Sequence, residues 1–108
     1  MPFFMHQWSY KETQVRDMVT ERQNREEIIR AATEVFGGKL HHFFFAFGEF
    51  DGVAITEFAD LEKAMSCVAT VVGQGRLRNW RTTPLLTPEE AQRAFDGARA
   101  VLNDTQDV

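Results

Sequence analysis

Gly48-Glu49-Phe50-Asp51-Gly52 separates two apolar runs, Phe43 to Phe47 and Val53 to Phe58. Two glycines around an acidic centre read as a tight β-hairpin turn, with Gly48 and Gly52 giving the backbone access to positive φ, and the β-branched and aromatic flanks read as its strands. The unalternating run Phe43-Phe44-Phe45-Ala46-Phe47 reads as a strand buried on both faces. The hairpin is therefore expected at the middle of the sheet.

Outward from the hairpin, residues 3 to 10 alternate, with Phe4, His6, Trp8 and Tyr10 on one face and Phe3, Met5, Gln7 and Ser9 on the other, which predicts a first strand. Val15, Met18 and Val19, then Ile28, Ile29, Ala32, Val35 and Phe36, show helical spacing with a polar interruption. Asn24 and Glu27 have capping-box spacing and restart the helix, which Gly37-Gly38 should stop at Phe36. Lys39 to Phe47 is the second strand and Val53 to Phe58 the third. Asp60 then caps a helix with a stripe of Leu61, Ala64, Met65, Val68 and Val72, ended by Gly73 and Gly75. Arg76 to Thr83 reads as a fourth strand. Thr87-Pro88-Glu89-Glu90 opens a last helix, with Ala91, Ala94, Phe95, Ala98 and Leu102 on one stripe and a frayed polar tail from Asn103.

The order β-α-β-β-α-β plus one helix predicts an α+β fold. It is the ferredoxin-like arrangement: an antiparallel sheet with helices on one face, in a single domain over 1-108. The other face of the sheet would be bare. A second copy is expected to cover it, giving a homodimer or an assembly of dimers with an enclosed space between the sheets.

With 108 residues and 44% hydrophobic content, the chain can build one core without staples. A net charge of -4 disfavours nucleic acid and anionic membranes as partners. Cys67 is the one cysteine, so no intrachain disulfide or cysteine-cluster metal site is possible. No metal or cofactor is expected. The start Met1 to His6 lacks a signal-peptide pattern and no later run is long enough to span a bilayer, so a cytoplasmic location is expected.

The chain resembles the GYD-domain family, named for a Gly-x-Tyr-Asp hairpin pattern that stands here as Gly48-Glu49-Phe50-Asp51. The resemblance extends to Arg25, to Gly37-Gly38-Lys39-Leu40, to Asp60-Leu61-Glu62-Lys63-Ala64 and to Gly75-Arg76-Leu77-Arg78. It implies a dimeric α/β-barrel, an architecture shared with muconolactone isomerases, cofactor-free monooxygenases and ligand-sensing domains, and it implies no activity of its own. Phe50 replaces the motif's tyrosine, and the helix after Thr87 extends beyond the pattern.

Candidate ligand-binding residues are His6, Trp8 and Tyr10 on one strand face, Trp80, and a cross-strand pair His42 and Glu57 that a four-residue loop would place opposite each other. Glu49 and Asp51 read first as turn chemistry, with Asp51 bonding its own backbone two residues on. Arg76, Arg78 and Arg81 near Trp80 read as a solvated sheet edge. A small-molecule-binding or sensing module with a small aromatic or apolar ligand between paired sheets is the leading expectation. A cofactor-independent isomerase or monooxygenase is the alternative, and a structural oligomerisation domain the second.

Overall fold

The alternation in β1 (Phe3–Tyr10) is realised as a central strand: Phe4, His6, Trp8 and Tyr10 are buried, while Phe3, Met5 and Gln7 are half-buried. The structure, a computed structural model, describes residues 1–104. After β1 come α1 (Glu12–Thr20), α2 (Arg25–Val35), β2 (Lys39–Phe45), β3 (Gly52–Glu57), α3 (Leu61–Gly73), β4 (Leu77–Leu85) and α4 (Pro88–Asp104). The four strands form one antiparallel sheet in the order β2-β3-β1-β4, the ferredoxin-like topology. The helix ends follow local chemistry. Asn24 Oδ1 accepts from Glu27 N at 3.1 Å and Asp60 Oδ1 from Lys63 N at 2.9 Å, so each caps its helix. Thr87 and Glu90 make a full capping box, Thr87 N donating to Glu90 Oε1 at 2.9 Å and Glu90 N to Thr87 Oγ1 at 3.2 Å. Gly37, at φ 74°, ends α2 in the left-handed conformation, and Gly38 N reaches back to Thr33 O.

One face of the sheet is covered by α2 and α3. Phe4, Phe58, Ala64 and Cys67 form one buried cluster with Ala32 and Phe36 against it; Trp8, Tyr10, Leu40 and Ala54 form another, joined by Met18, Ile29, Phe43 and Trp80. The opposite face carries Phe3, Met5, Val53, Ile55, Phe44 and Leu85, paired across the strands and none of them fully buried.

Several expectations are corrected. The hairpin sits at the edge of the sheet, because β2 is an outer strand and β1 and β3 are central. Within the chain, the phenylalanine run is not buried on both faces: β2 stops at Phe45, Phe44 is 60% exposed, and Phe47 lies wholly in solvent. Neither Gly48 nor Gly52 has positive φ. Gly52 opens β3 directly opposite Trp8, and a Cβ there would lie 2.5 Å from the indole ring, so glycine is required by close packing and not by turn geometry. Gly48 stands in open space. In α3, the stripe divides: Ala64 and Cys67 turn inward, whereas Leu61, Met65 and Val72 are exposed. The tail expected to fray starts inside α4, which includes Asn103 and Asp104; the remainder lies outside the described residues. None of the α4 residues is buried, and the molecule is 61 Å long against 29 and 21 Å across. Among the described residues no helix is long and apolar enough to cross a membrane.

Candidate functional site

The connection from Ala46 to Asp51 folds back over the end of β1 and fixes it. Asp51 N donates to Trp8 O at 2.7 Å, Asp51 Oδ2 accepts from Tyr10 N at 2.9 Å, and Ser9 Oγ donates to Glu49 O at 3.2 Å. Asp51 thus bonds across the fold, not to its own turn as the sequence suggested. The result is that Trp8 and Tyr10 are held at a strand end where β1 shifts register between Ser9 and Tyr10.

That strand end is the floor of a site. The indole of Trp8 packs edge-on to Tyr10 at 6.3 Å and against Phe43 at 5.6 Å, and Phe43 meets Phe45 edge-on at 5.3 Å. Arg25, the first residue of α2, lies beside this aromatic row with its guanidinium carbon 6.0 Å from the centre of the Tyr10 ring. The Arg25 side chain is the unusual member. It is a permanent cation, 6% exposed, its Nε has no hydrogen-bond partner, and among the described residues no carboxylate lies within ion-pair distance of it. The neighbouring Glu26 and Glu27 are engaged by Arg30 on the same helix. A buried guanidinium without a counter-charge is costly, and an anionic guest would offset that cost. Next to it is a groove of about 440 Å³ lined by Arg22, Gln23, Asn24, Arg25, Glu26, Phe43 and Phe45. The N-terminal turn of α2 contributes its positive dipole end to the same place.

A second polar group is buried farther along β1. His6, 4% exposed, touches Thr56 Oγ1 at 2.7 Å through Nε2 and Thr82 Oγ1 at 3.0 Å through Nδ1. The Trp80 indole N–H donates to the same Thr82 oxygen at 2.6 Å. Either neutral tautomer satisfies this network, because each threonine hydroxyl can donate or accept. Burial lowers the His6 pKa to about 4, so the ring is neutral near pH 7. The cavity among His6, Trp8, Thr56, Cys67 and Trp80 is about 20 Å³, room for one water and no metabolite. A histidine so weakly basic, with both nitrogens occupied, is poorly suited to general-base work near neutrality.

The structure therefore brings His6, Trp8, Tyr10 and Trp80 together, but on the helix side of the sheet and not on the open face where an inter-sheet cavity was expected. Glu57 and His42 are not a pair. The hairpin pairs Phe45 with Gly52, so that His42 faces Ile55, and beyond it a bulge at His41, between Leu40 and His42, leaves His41 Nε2 to meet Glu57 Oε1 at 2.9 Å. His42 instead stacks on Phe44 at the sheet edge, 6.2 Å between ring centres. The arginine cluster is dispersed: Arg81 covers Phe50 at 5.3 Å, and Arg78 approaches Glu12 at 3.7 Å. Arg25 was visible in the sequence only as part of a pattern; its charge inside an otherwise apolar helix face was the signal for a site.

A GYD domain model matches residues 4–95, and the chain belongs to the GYD-domain family. No curated protein matches the chain. Among solved structures, the chain is similar to FFRP-DM1, with 13% identity and a TM-score of 0.57 over 80% of this chain and 100% of that one. It is also similar to MtbAldR, with 14% identity and a TM-score of 0.61 over 80% of this chain and 52% of that one. A third similar structure is a transcriptional regulator from Neisseria meningitidis in complex with L-Met, with 13% identity and a TM-score of 0.56 over 81% of this chain and 51% of that one. The chain thus spans all of the first and about half of the other two. At such identities the likeness shows the fold alone.

Proposed function

We propose that this GYD-domain protein is a small-molecule-binding module whose ligand is a carboxylate with an apolar body, seated between the N-terminus of α2 and the Phe43–Phe45 wall. The single observation that carries this reading is the buried Arg25, its Nε without a hydrogen-bond partner and no carboxylate within ion-pair distance among the described residues, at the edge of a groove walled by Phe43 and Phe45. A carboxylate supplies the missing counter-charge in the planar geometry a guanidinium matches, and the aromatic wall takes up the apolar remainder. Support of the same chemical class comes from the Neisseria regulator, whose ligand L-Met is a carboxylate with an apolar side chain. The weakly basic, fully bonded His6 favours binding over catalysis. Two copies of the module pair through the open sheet face, where Phe3, Met5, Ile55 and Phe44 would otherwise meet water.

The site is tested with 2-naphthoate and its uncharged amide, followed by calorimetry. The acid is expected to bind at least about tenfold more tightly than the amide, a difference of the size a charge-assisted hydrogen bond supplies. Arg25→Leu should abolish that preference while folding as well as the parent, because removing an uncompensated buried charge is neutral or stabilising. Equal binding of acid and amide, or an acid preference that survives in Arg25→Leu, refutes the site. Pairing is tested by light scattering, where Phe44→Asp should give monomers; a folded wild-type monomer at micromolar concentration contradicts it.

A further inference from the structure

Helix α4 is well specified yet has nothing to pack on. It opens with a complete capping box, runs for 17 residues, and buries none of them. Most helical stability in proteins comes from packing of an apolar face and not from propensity, so the order of α4 calls for a partner surface. Phe95, Val101 and Leu102 are among its exposed side chains. The molecule presents one surface that fits. Between α3 and β4 lies an apolar groove of about 320 Å³ lined by Leu61, Ala64, Met65, Val68, Trp80, Thr82 and Pro84, with Leu61 63% and Met65 64% exposed. No charged side chain lines it.

The two stripes share one spacing. Leu61, Met65, Val68 and Val72 on α3 follow one another at intervals of four, three and four residues, and so do Ala91, Phe95, Ala98 and Leu102 on α4. At 1.5 Å per residue α4 is about 25 Å long and the 13-residue α3 about 20 Å, so one covers the other. Pro84 lines the groove beside Leu61, which puts the start of α4 at the end where α3 starts. Laid along α3 in the same direction, Ala91 falls on Leu61, Phe95 on Met65, Ala98 on Val68 and Leu102 on Val72. Ala91 and Ala98 then meet the larger Leu61 and Val68, and the Met65 sulfur meets the Phe95 ring, a favourable contact. Only Leu86 and Thr87 separate β4 from α4, and Pro88 with the capping box fixes how the helix leaves the strand. Across this two-residue hinge α4 leaves its own groove open, and short hinges favour exchange between copies.

We propose that α4 docks in the α3–β4 groove of a second copy of this chain, and that the exchange is reciprocal. It is independent of the carboxylate site, which lies at α2 and β2. The test is the reactivity of a thiol introduced by Met65→Cys in the full chain. Cys67 is buried and its thiol pKa is raised by desolvation, so it stays out of the reaction. At high micromolar concentration the introduced thiol should be alkylated about tenfold more slowly than after dilution to nanomolar, as mass action on an intermolecular contact requires. Adding Phe95→Asp, at a position exposed in its own chain, should make alkylation fast at every concentration, with helical circular dichroism falling by no more than the share of the 17-residue α4. Rapid alkylation of the single variant at all concentrations overturns the proposal. So does protection that is independent of concentration, which would place α4 on its own groove, and so does protection that survives Phe95→Asp.

Discussion

The grooves at α2 and at α3 differ in one respect that decides what each can hold. The groove at α2 contains a buried cation without a counter-charge and a polar rim, and the groove at α3 is lined by apolar side chains and one threonine. A lone buried charge asks for a small charged guest, because a protein surface would have to desolvate its own acid to match it. An uncharged stripe with helical spacing asks for another helix, because shape and apolar area are all it offers.

The largest expected effect breaks the floor of the α2 groove. Gly52→Val should destabilise the protein by about 3 kcal/mol and abolish naphthoate binding, since its side chain would enter the space of the Trp8 indole. Gly48→Val, in open space and with ordinary φ, should change stability by less than about 0.5 kcal/mol, and chemical denaturation of the two variants checks the contrast. Equal effects would return both glycines to a turn role.

The next effect probes the α3 side, where Thr82 is shared between the groove wall and the His6 network. Because the folded His6 pKa is lowered to about 4 from an unfolded value of 6.5, the unfolded state binds the extra proton between those values. Stability should therefore fall as pH drops from about 6.5 toward 4, by up to about 3 kcal/mol from this group. Melting at a series of pH values would show that slope in the parent and a shallower one in His6→Phe. A smaller effect is expected from Asp51→Ala, which removes the bond to Tyr10 N and should cost about 1 to 2 kcal/mol while weakening naphthoate binding at the α2 groove. Unchanged binding with lowered stability would uncouple the hairpin from the site.

What could be read from the sequence was local. The strand at residues 3 to 10, the caps at Asn24, Asp60 and Thr87 and the stop at Gly37 depend on residues within a few positions of one another. The ferredoxin-like order followed from them, and the family from short motifs such as Gly48-Glu49-Phe50-Asp51 and Gly37-Gly38-Lys39-Leu40. What was missed depends on distant partners. Asp51 acts on Tyr10 across 41 positions, Gly52 is set by Trp8, and Arg25 is buried by the aromatic row of β1 and β2. The hairpin register moved His42 from Glu57 to Ile55 and the bulge at His41 left Glu57 to His41, and periodicity alone can place neither. The phenylalanine run misled in the same way: composition marked it as buried, whereas topology made it an edge.

On the proposed reading, the α2 groove takes a small carboxylate and the α3 groove the α4 helix of a second copy. Two methionines report on the two places, Met18 packed against the Trp8 and Tyr10 cluster and Met65 lining the α3 groove. Methyl NMR of methionine-labelled protein, titrated with 2-naphthoate at constant protein concentration and then diluted without it, reads both at once. Naphthoate should shift Met18 and leave Met65 in place, and dilution should shift Met65 and leave Met18; a Met65 shift with naphthoate and none on dilution would contradict both assignments.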